Sequence, residues 1–274
     1  KINFYLSILM KSLDVDTKKI RNRIVDLIYK SGASHLGSSL SLIEILSTIY
    51  LLVDLNKIKD HAPDRSRVFI SKGHGACGTY SVMNYFGLID DIELNTYHKN
   101  NSYLSGHVSH AVSCVEHSTG ALGHGISVCL GTAIGIKTKK FQSNPLSLVV
   151  CGDGELQEGS VWETLMLAGH LKLNNFIVFI DYNKISSIKS TNEVVNLEPL
   201  EDKFLSFGFE TKNVDGHNIK EIYDAVTNRA EHKPLAVICN TIKGKGVSFA
   251  ENEPVWHYRP LNKELYIKAK DDLK

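Results

Sequence analysis

The chain is predicted to fold as an α/β domain, a parallel sheet flanked by helices on both faces. Three observations carry that expectation. Apolar runs of strand length recur along the second half of the chain, separated by stretches with helical periodicity, and this alternation implies a parallel sheet covered on both sides. Two of those runs end in Gly152-Asp153-Gly154 and Asp181-Tyr182-Asn183, turn-forming triplets that fit the ends of neighbouring strands. The 274 residues are 43% hydrophobic and 22% charged, an ordinary balance for a globular protein able to bury a large core.

The elements follow in order. Residues 1–15 begin KINFYLSILMKSL, an apolar stretch too short to span a bilayer and without a small-residue cleavage site. It reads as an N-terminal extension or docking segment. Asp16 or Thr17 can cap a helix running to Tyr29, with Ile20, Ile24, Leu27 and Ile28 on one face. Residues 41–52 form a second, apolar helix. Val68 to Ile70 is a short strand leading into SKGHG. The glycine-rich stretch 120–135 reads as a tightly packed helix whose small residues allow close backbone approach. Strand 146–151, helix 160–171, strand 176–180, a short strand near 209–214, helix 218–231 and strand 235–240 complete the pattern. No Pro-rich or Gly/Ser-rich linker and no repeat divides the sequence, so residues 1–274 read as a single domain.

The net charge of +1 gives no case for nucleic acid or a membrane surface as partner. Five cysteines, Cys77, Cys114, Cys129, Cys151 and Cys239, are scattered and form no CxxC pair. That favours reduced, mostly buried thiols in a cytoplasm over a disulfide framework or a zinc site.

In a parallel sheet, the strands ending in Gly152-Asp153-Gly154 and Asp181-Tyr182-Asn183 open onto one edge, where ligands bind. Asp153 and Asn183, thirty positions apart, then converge as hard oxygen ligands suited to Mg²⁺ or Ca²⁺ bridging to a phosphate. The Gly154 backbone and the following helix N-terminus can face a diphosphate. On these residues alone a plain surface turn remains an equal reading. A dinucleotide fingerprint is excluded, because Gln157 stands where the third glycine belongs and Asp181-Tyr182-Asn183 replaces a single ribose-binding acid. A Walker loop is excluded too, since Lys243-Gly244-Lys245-Gly246 lacks both the upstream glycine spacing and the Ser/Thr after lysine.

Most of the twelve histidines read as surface or satisfied core residues. Four stand out: His74 and His107 lie beside glycines, His35 precedes Leu36-Gly37, and His257 follows Trp256 after a glycine-rich loop. Loops at strand ends are where catalytic side chains collect, and imidazole suits proton transfer near neutral pH.

GDG, about thirty residues, then Asn resembles the thiamine-diphosphate motif. SGASHLGSSLS, RVFISKGHGACGTY, LSGHVSH, EHSTGALGHG, GDGELQEGSVWE, DYNKIS and TIKGKGVSFAENEPVWHYRP, along nearly the whole chain, resemble the blocks of transketolases and occur in their order. The resemblance implies a thiamine-diphosphate-binding fold, specifically the diphosphate-binding domain. It implies that Asp153, Asn183 and the Ile185 backbone carbonyl hold the metal. His74 and His257 would contact the diphosphate. All four histidines belong to the implied active site, with His35, His107 and His257 lining the substrate channel and moving protons. Gly120 and Leu122 would pack on the aminopyrimidine ring, the alternative being simple packing where the helix begins. Glu158 would lie at a dimer interface, hydrogen-bonded toward the partner's activating Glu; otherwise Glu158 and Glu163 are acids favoured at a helix N-terminus. His110, His117 and His124 carry no such support, and His124 stands where many relatives carry Gln.

Full-length transketolases continue into a pyrimidine-binding domain, which holds the activating Glu, and a C-terminal domain. The resemblance therefore implies an N-terminal subunit of a split enzyme, working with a C-terminal subunit in an α2β2 assembly. The implied reaction is transfer of a two-carbon ketol unit from a ketose to an aldose, both sugar phosphates. The competing expectations are a subunit of another thiamine-diphosphate enzyme, of the deoxyxylulose-phosphate synthase or 2-oxo acid dehydrogenase kind, and a non-catalytic cofactor-binding subunit.

Overall fold

The computed structural model describes residues 13–274, so most of the expected N-terminal extension lies outside the described residues. Helix α1 spans Thr17–Ser31. The Asp16 side chain caps it by accepting the Lys19 N–H at 2.8 Å, and Gly32 ends it in the left-handed region at φ 65°. Its Ile20, Ile24, Leu27 and Ile28 are buried, as their spacing requires.

The apolar helix expected over residues 41–52 is α3 (Ile43–Leu52), and a short helix not expected from the sequence, α2 (Leu36–Ser41), precedes it across Leu42. Every residue of α2 is buried, serines included, so no amphipathic period marks where it starts. The short α4 (Leu55–Lys59) precedes strand β1 (Arg67–Ile70), and α5 (Ala76–Tyr85) follows it. Gly78 of α5 meets the backbone of α2 so closely that a Cβ there would stand 2.3 Å from the Ser39 carbonyl oxygen, so only glycine permits this crossing. The chain continues through α6 (Asp91–Leu94), α7 (His124–Lys139), β2 (Ser147–Gly152), α8 (Gly159–His170), β3 (Phe176–Tyr182), α9 (Thr191–Val194) and α10 (Leu200–Ser206). It ends with β4 (Glu210–Asp215), α11 (Ile219–Thr227), β5 (Leu235–Asn240) and α12 (Lys263–Asp272).

The strands form one parallel sheet in the order β1-β2-β3-β5-β4. Strands β2 and β3 are buried throughout, and alternate residues feed two cores. Leu148, Val150, Ile177, Phe179, Leu235 and Val237 face a core shared with α1, α2, α3, α5 and α11. Val149, Cys151, Val178, Ile180, Ala236 and Ile238 face the other, shared with α7, α8 and α10.

Helix α7 starts at His124, not at Gly120, and its glycines divide by role. Gly125 abuts Ser71 on β1's exit, whereas Gly131 and Gly135 have no neighbouring atom within 4 Å of a Cβ position. Tight packing within the chain therefore does not account for them; they lie on the outer face of α7. Among the described residues, no helix is long and apolar enough to cross a membrane.

Candidate active site

The carboxyl ends of β1, β2, β3 and β5 build one edge. Strand β1 exits into Ser71-Lys72 and a 3₁₀ turn over Gly73–Gly75 that presents His74. Strand β2 exits into Asp153 and a 3₁₀ turn over Gly154–Gln157. Asn183 follows β3, and Thr241-Ile242-Lys243 follows β5. His35 precedes α2 in a left-handed conformation, φ 69°, and its N–H donates to the His257 carbonyl at 3.1 Å. His257 closes the 3₁₀ turn Pro254–His257.

The four singled-out histidines meet here. The His35 ring lies 5.1 Å from His257, 5.5 Å from His107 and 5.8 Å from His74, and His74 stacks on His257 at 4.9 Å. His107 is exposed and the other three are half-buried. Asp153 and Asn183 converge as well. The Asp153 carboxylate accepts the Gly154 N–H at 2.8 Å and the Lys184 N–H at 2.5 Å, which ties the turn after β2 to the one after β3. Asn183 Oδ1 accepts the Ile185 N–H at 3.1 Å and its Nδ2 donates to Asp181 at 3.4 Å. The Ile185 carbonyl is engaged: Lys243 Nζ donates to it at 3.1 Å.

Gly120, Leu122 and Glu158 form a separate rim, all exposed. Gly123 brings them together, its Cβ position only 2.9 Å from the Glu158 Cβ and its φ at 76°. Glu158 is the N-cap residue of α8, with no side-chain cap bond. The buried Glu155 ties this rim to the pocket: it accepts the Gly123 N–H at 2.9 Å and the Gly152 N–H at 3.3 Å, and also the Ser71 hydroxyl. The segment before Gly120 is held to the His74 turn, with Val108 N–H donating to the Gly73 carbonyl at 3.2 Å.

Four charged residues beneath this site escape a reading of the sequence. Lys72, 2% exposed, pairs with the fully buried Asp181. Asp181 also accepts from Ser41 at 2.6 Å and from Thr241. These bonds and the Lys72 charge hold its carboxyl below the usual carboxylate range although burial alone pushes it up. Lys243, 2% exposed, and Glu155 are the other two. Their only signal is position, within the SKGHG, GDGE, DYNKIS and TIKGKG blocks; a lone charged residue otherwise reads as solvated.

The electrostatics are those of an anion site. Burial, reinforced by neighbouring cations and imidazoles, pushes His35 down to about 4 and His257 to about 3. The same causes hold His74 well below its ordinary range, and burial with Lys72 lowers Lys243 to about 8. Asp153 moves the other way, to about 6, through burial and then the charge of Asp181. At neutral pH His35, His74 and His257 are therefore neutral, beside two lysines and a carboxylate in a low-dielectric setting that a cation would stabilise.

The profile of a family described as transketolase, thiamine diphosphate binding domain, matches residues 14–273. The chain belongs to the transketolase family. It is 40% identical to one subunit of the apulose-4-phosphate transketolase of Actinobacillus succinogenes, over 96% of both chains. It is 36% identical to a 6-deoxy-6-sulfo-D-fructose transketolase subunit of a Clostridium species, over 93% of each. Among solved structures it superposes on the transketolase of Campylobacter jejuni with a TM-score of 0.82 at 29% identity. That match covers 94% of this chain and 42% of the longer transketolase chain. The fold expected from the strand and helix pattern is thus that of a transketolase thiamine-diphosphate-binding domain.

Proposed function

We propose that this chain, as a single diphosphate-binding domain, is the N-terminal subunit of a two-component transketolase. The observation that carries the reading is the convergence of Asp153 and Asn183 with His35, His74, His107 and His257 at one sheet edge. Asp153, Asn183 and the Ile185 carbonyl, which here accepts from Lys243, would hold a divalent cation, Mg²⁺ or Ca²⁺, that compensates the diphosphate charge. Gly154 has no atom within 4 Å of a Cβ position, room consistent with the backbone facing a diphosphate. His74 and His257 bind that diphosphate, and the two lysines add positive charge.

Bound there, thiamine diphosphate supplies the carbanion chemistry of moving a two-carbon ketol unit from a ketose to an aldose. His35, His107 and His257 accept and return protons at the substrate hydroxyls as general acids and bases. Gly120 and Leu122 pack on the pyrimidine ring. Glu158 faces a second polypeptide that carries the pyrimidine-binding domain and the activating Glu. The relatives named as apulose-4-phosphate transketolase subunits support the two-chain arrangement and sugar phosphates among the substrates. Two copies of each chain around a two-fold axis give an α2β2 assembly. Five free thiols, four of them buried, fit a reducing cytoplasm.

Calorimetry with thiamine diphosphate and Mg²⁺ on the assembled complex tests the assignment. Loss of an outer partner of a metal ligand typically costs about 10–100-fold in affinity, so Asp153→Ala, which removes a ligand itself, is expected to cost about 100-fold or more. Unchanged affinity defeats the metal site.

A further inference from the structure

Behind the pocket, one buried carboxylate gathers both anchors of the loop that carries Lys243. Glu44 of α3 is 4% exposed. Arg21 of α1 approaches its Oε1 with Nη2 at 2.6 Å, and His217, between β4 and α11, meets its Oε2 with Nδ1 at 2.9 Å. Each partner then reaches the loop after β5. His217 Nε2 accepts the Ile242 N–H at 2.8 Å, and Arg21 Nε donates to the Lys245 carbonyl at 3.0 Å. Because Nε2 accepts from a backbone amide, the His217 proton sits on Nδ1 and is donated to Glu44, so the ring is neutral and its orientation fixed.

The two anchor points flank Lys243, one residue before it and two after. Between them the backbone has little freedom: Gly244, at φ 82°, would set a Cβ 2.2 Å from the Ala250 carbonyl oxygen. Lys243 Nζ then projects into the pocket, 2.8 Å from the Ser186 carbonyl and 3.4 Å from His257 Nδ1. A buried ion pair contributes little net stability compared with apolar residues of the same shape, so its main consequence here is geometric.

We infer that Glu44, acting through Arg21 and His217, is a positioning residue that sets where Lys243 stands at the diphosphate site. This rests on the function proposed above. None of the three residues touches the pocket directly; they act on it through the backbone at Ile242 and Lys245.

A double-mutant cycle separates positioning from general stability. Thiamine diphosphate with Mg²⁺ is titrated calorimetrically into the complex of this chain with its partner subunit, using wild type, His217→Leu, Lys243→Ala and the double variant. His217→Leu is expected to weaken binding about tenfold, the scale of losing an outer partner of a ligand. If it acts through Lys243, the double variant binds like Lys243→Ala alone, within about a factor of two, the usual scatter of additivity. His217→Gln, which keeps an acceptor within reach of the Ile242 N–H, recovers most of the affinity. Additive losses, or wild-type affinity in His217→Leu, overturn the inference. Should His217→Leu fail to fold, Arg21→Lys takes its place with the same outcomes, since it keeps a charge for Glu44 and loses the fixed donor to Lys245. Wild type that binds no cofactor overturns the proposed function itself; wild type that binds, with an additive cycle, overturns only the role of Glu44.

Discussion

Burial keeps His35, His74 and His257 neutral until well below their ordinary range, and this fixes how the cofactor-free protein responds to acid. With folded values of about 4 for His35 and about 3 for His257, the unfolded chain binds protons below pH 6.5 that the folded chain refuses. Stability contributed by these rings is present above about pH 6.5 and is lost as pH falls toward 4. Asp153, raised to about 6, acts in the opposite sense, since the folded state holds its proton between about 6 and 3.8. Three imidazoles outweigh the two carboxyls that burial holds above their ordinary range, Asp153 and Glu155, so the unfolding midpoint is expected to drop between pH 7 and pH 5. Replacing His35 and His257 together by Asn flattens that slope; a variant with the wild-type slope counts against the pocket as its source. Added thiamine diphosphate with Mg²⁺ is also expected to flatten it, because a bound diphosphate favours protonated imidazoles. In turnover assays, His35→Ala or His257→Ala should each cost about 10²–10⁴-fold with little change in melting temperature. A rate that simply tracks the folded fraction would make these histidines structural.

At the scale of elements, legibility in the sequence follows contrast. Helix α1 and strands β2, β3 and β5 are readable because a polar face or a bounded apolar run sets each apart. Helices α2 and α5 pack with their first turns wholly buried, so Ser38, Ser39 and Thr79 sit inside beside Leu40 and Tyr80 and no period survives. The site divides in the same way. Glycine-flanked histidines, Asp153 and Asn183 announce themselves at strand ends, whereas Lys72, Asp181, Lys243 and Glu155 become buried only through contacts between distant segments. Glu155 shows what such a residue does. It joins the exits of β1 and β2 to the turn before α7, and burial raises its carboxyl above the usual range. Glu155→Ala orphans the Gly123 and Gly152 amides, at about 1–3 kcal/mol each. Denaturant unfolding is therefore expected to show a loss of about 3 kcal/mol or more, together with weakened cofactor binding. A neutral effect on both would mean that water replaces the carboxylate and that the rim and pocket are not joined through it.

For the whole molecule, the outer faces of α7 and α8 are the proposed contact with another chain. Val128, Gly131 and Gly135 line the exposed side of α7, with Met166 at 55% and Leu167 at 43% exposure on α8 and Leu122 at the rim. Trp162 of α8 turns inward: its indole N–H donates to the Leu156 carbonyl at 2.8 Å and its ring packs on Phe204 and Phe207. Small residues at helical spacing let a facing helix approach closely, and obligate assemblies commonly bury more than about 2,000 Å². Gly131 gives a clean probe, since no atom lies within 4 Å of its Cβ position. Gly131→Arg should leave the fold of the isolated chain intact, and even favour α7 by about 1 kcal/mol through helix propensity. In the two-component complex the same change drives a long charged side chain into the facing polypeptide. Light scattering should then show loss of the mass of the two-component complex, and calorimetry should show thiamine diphosphate bound as weakly as by the isolated chain. Wild type alone should likewise bind weakly and transfer no ketol unit, and adding the pyrimidine-domain subunit should restore both. A Gly131→Arg protein that assembles and turns over like wild type would place the interface elsewhere. An isolated wild-type chain as active as the mixture would remove the need for a second polypeptide altogether.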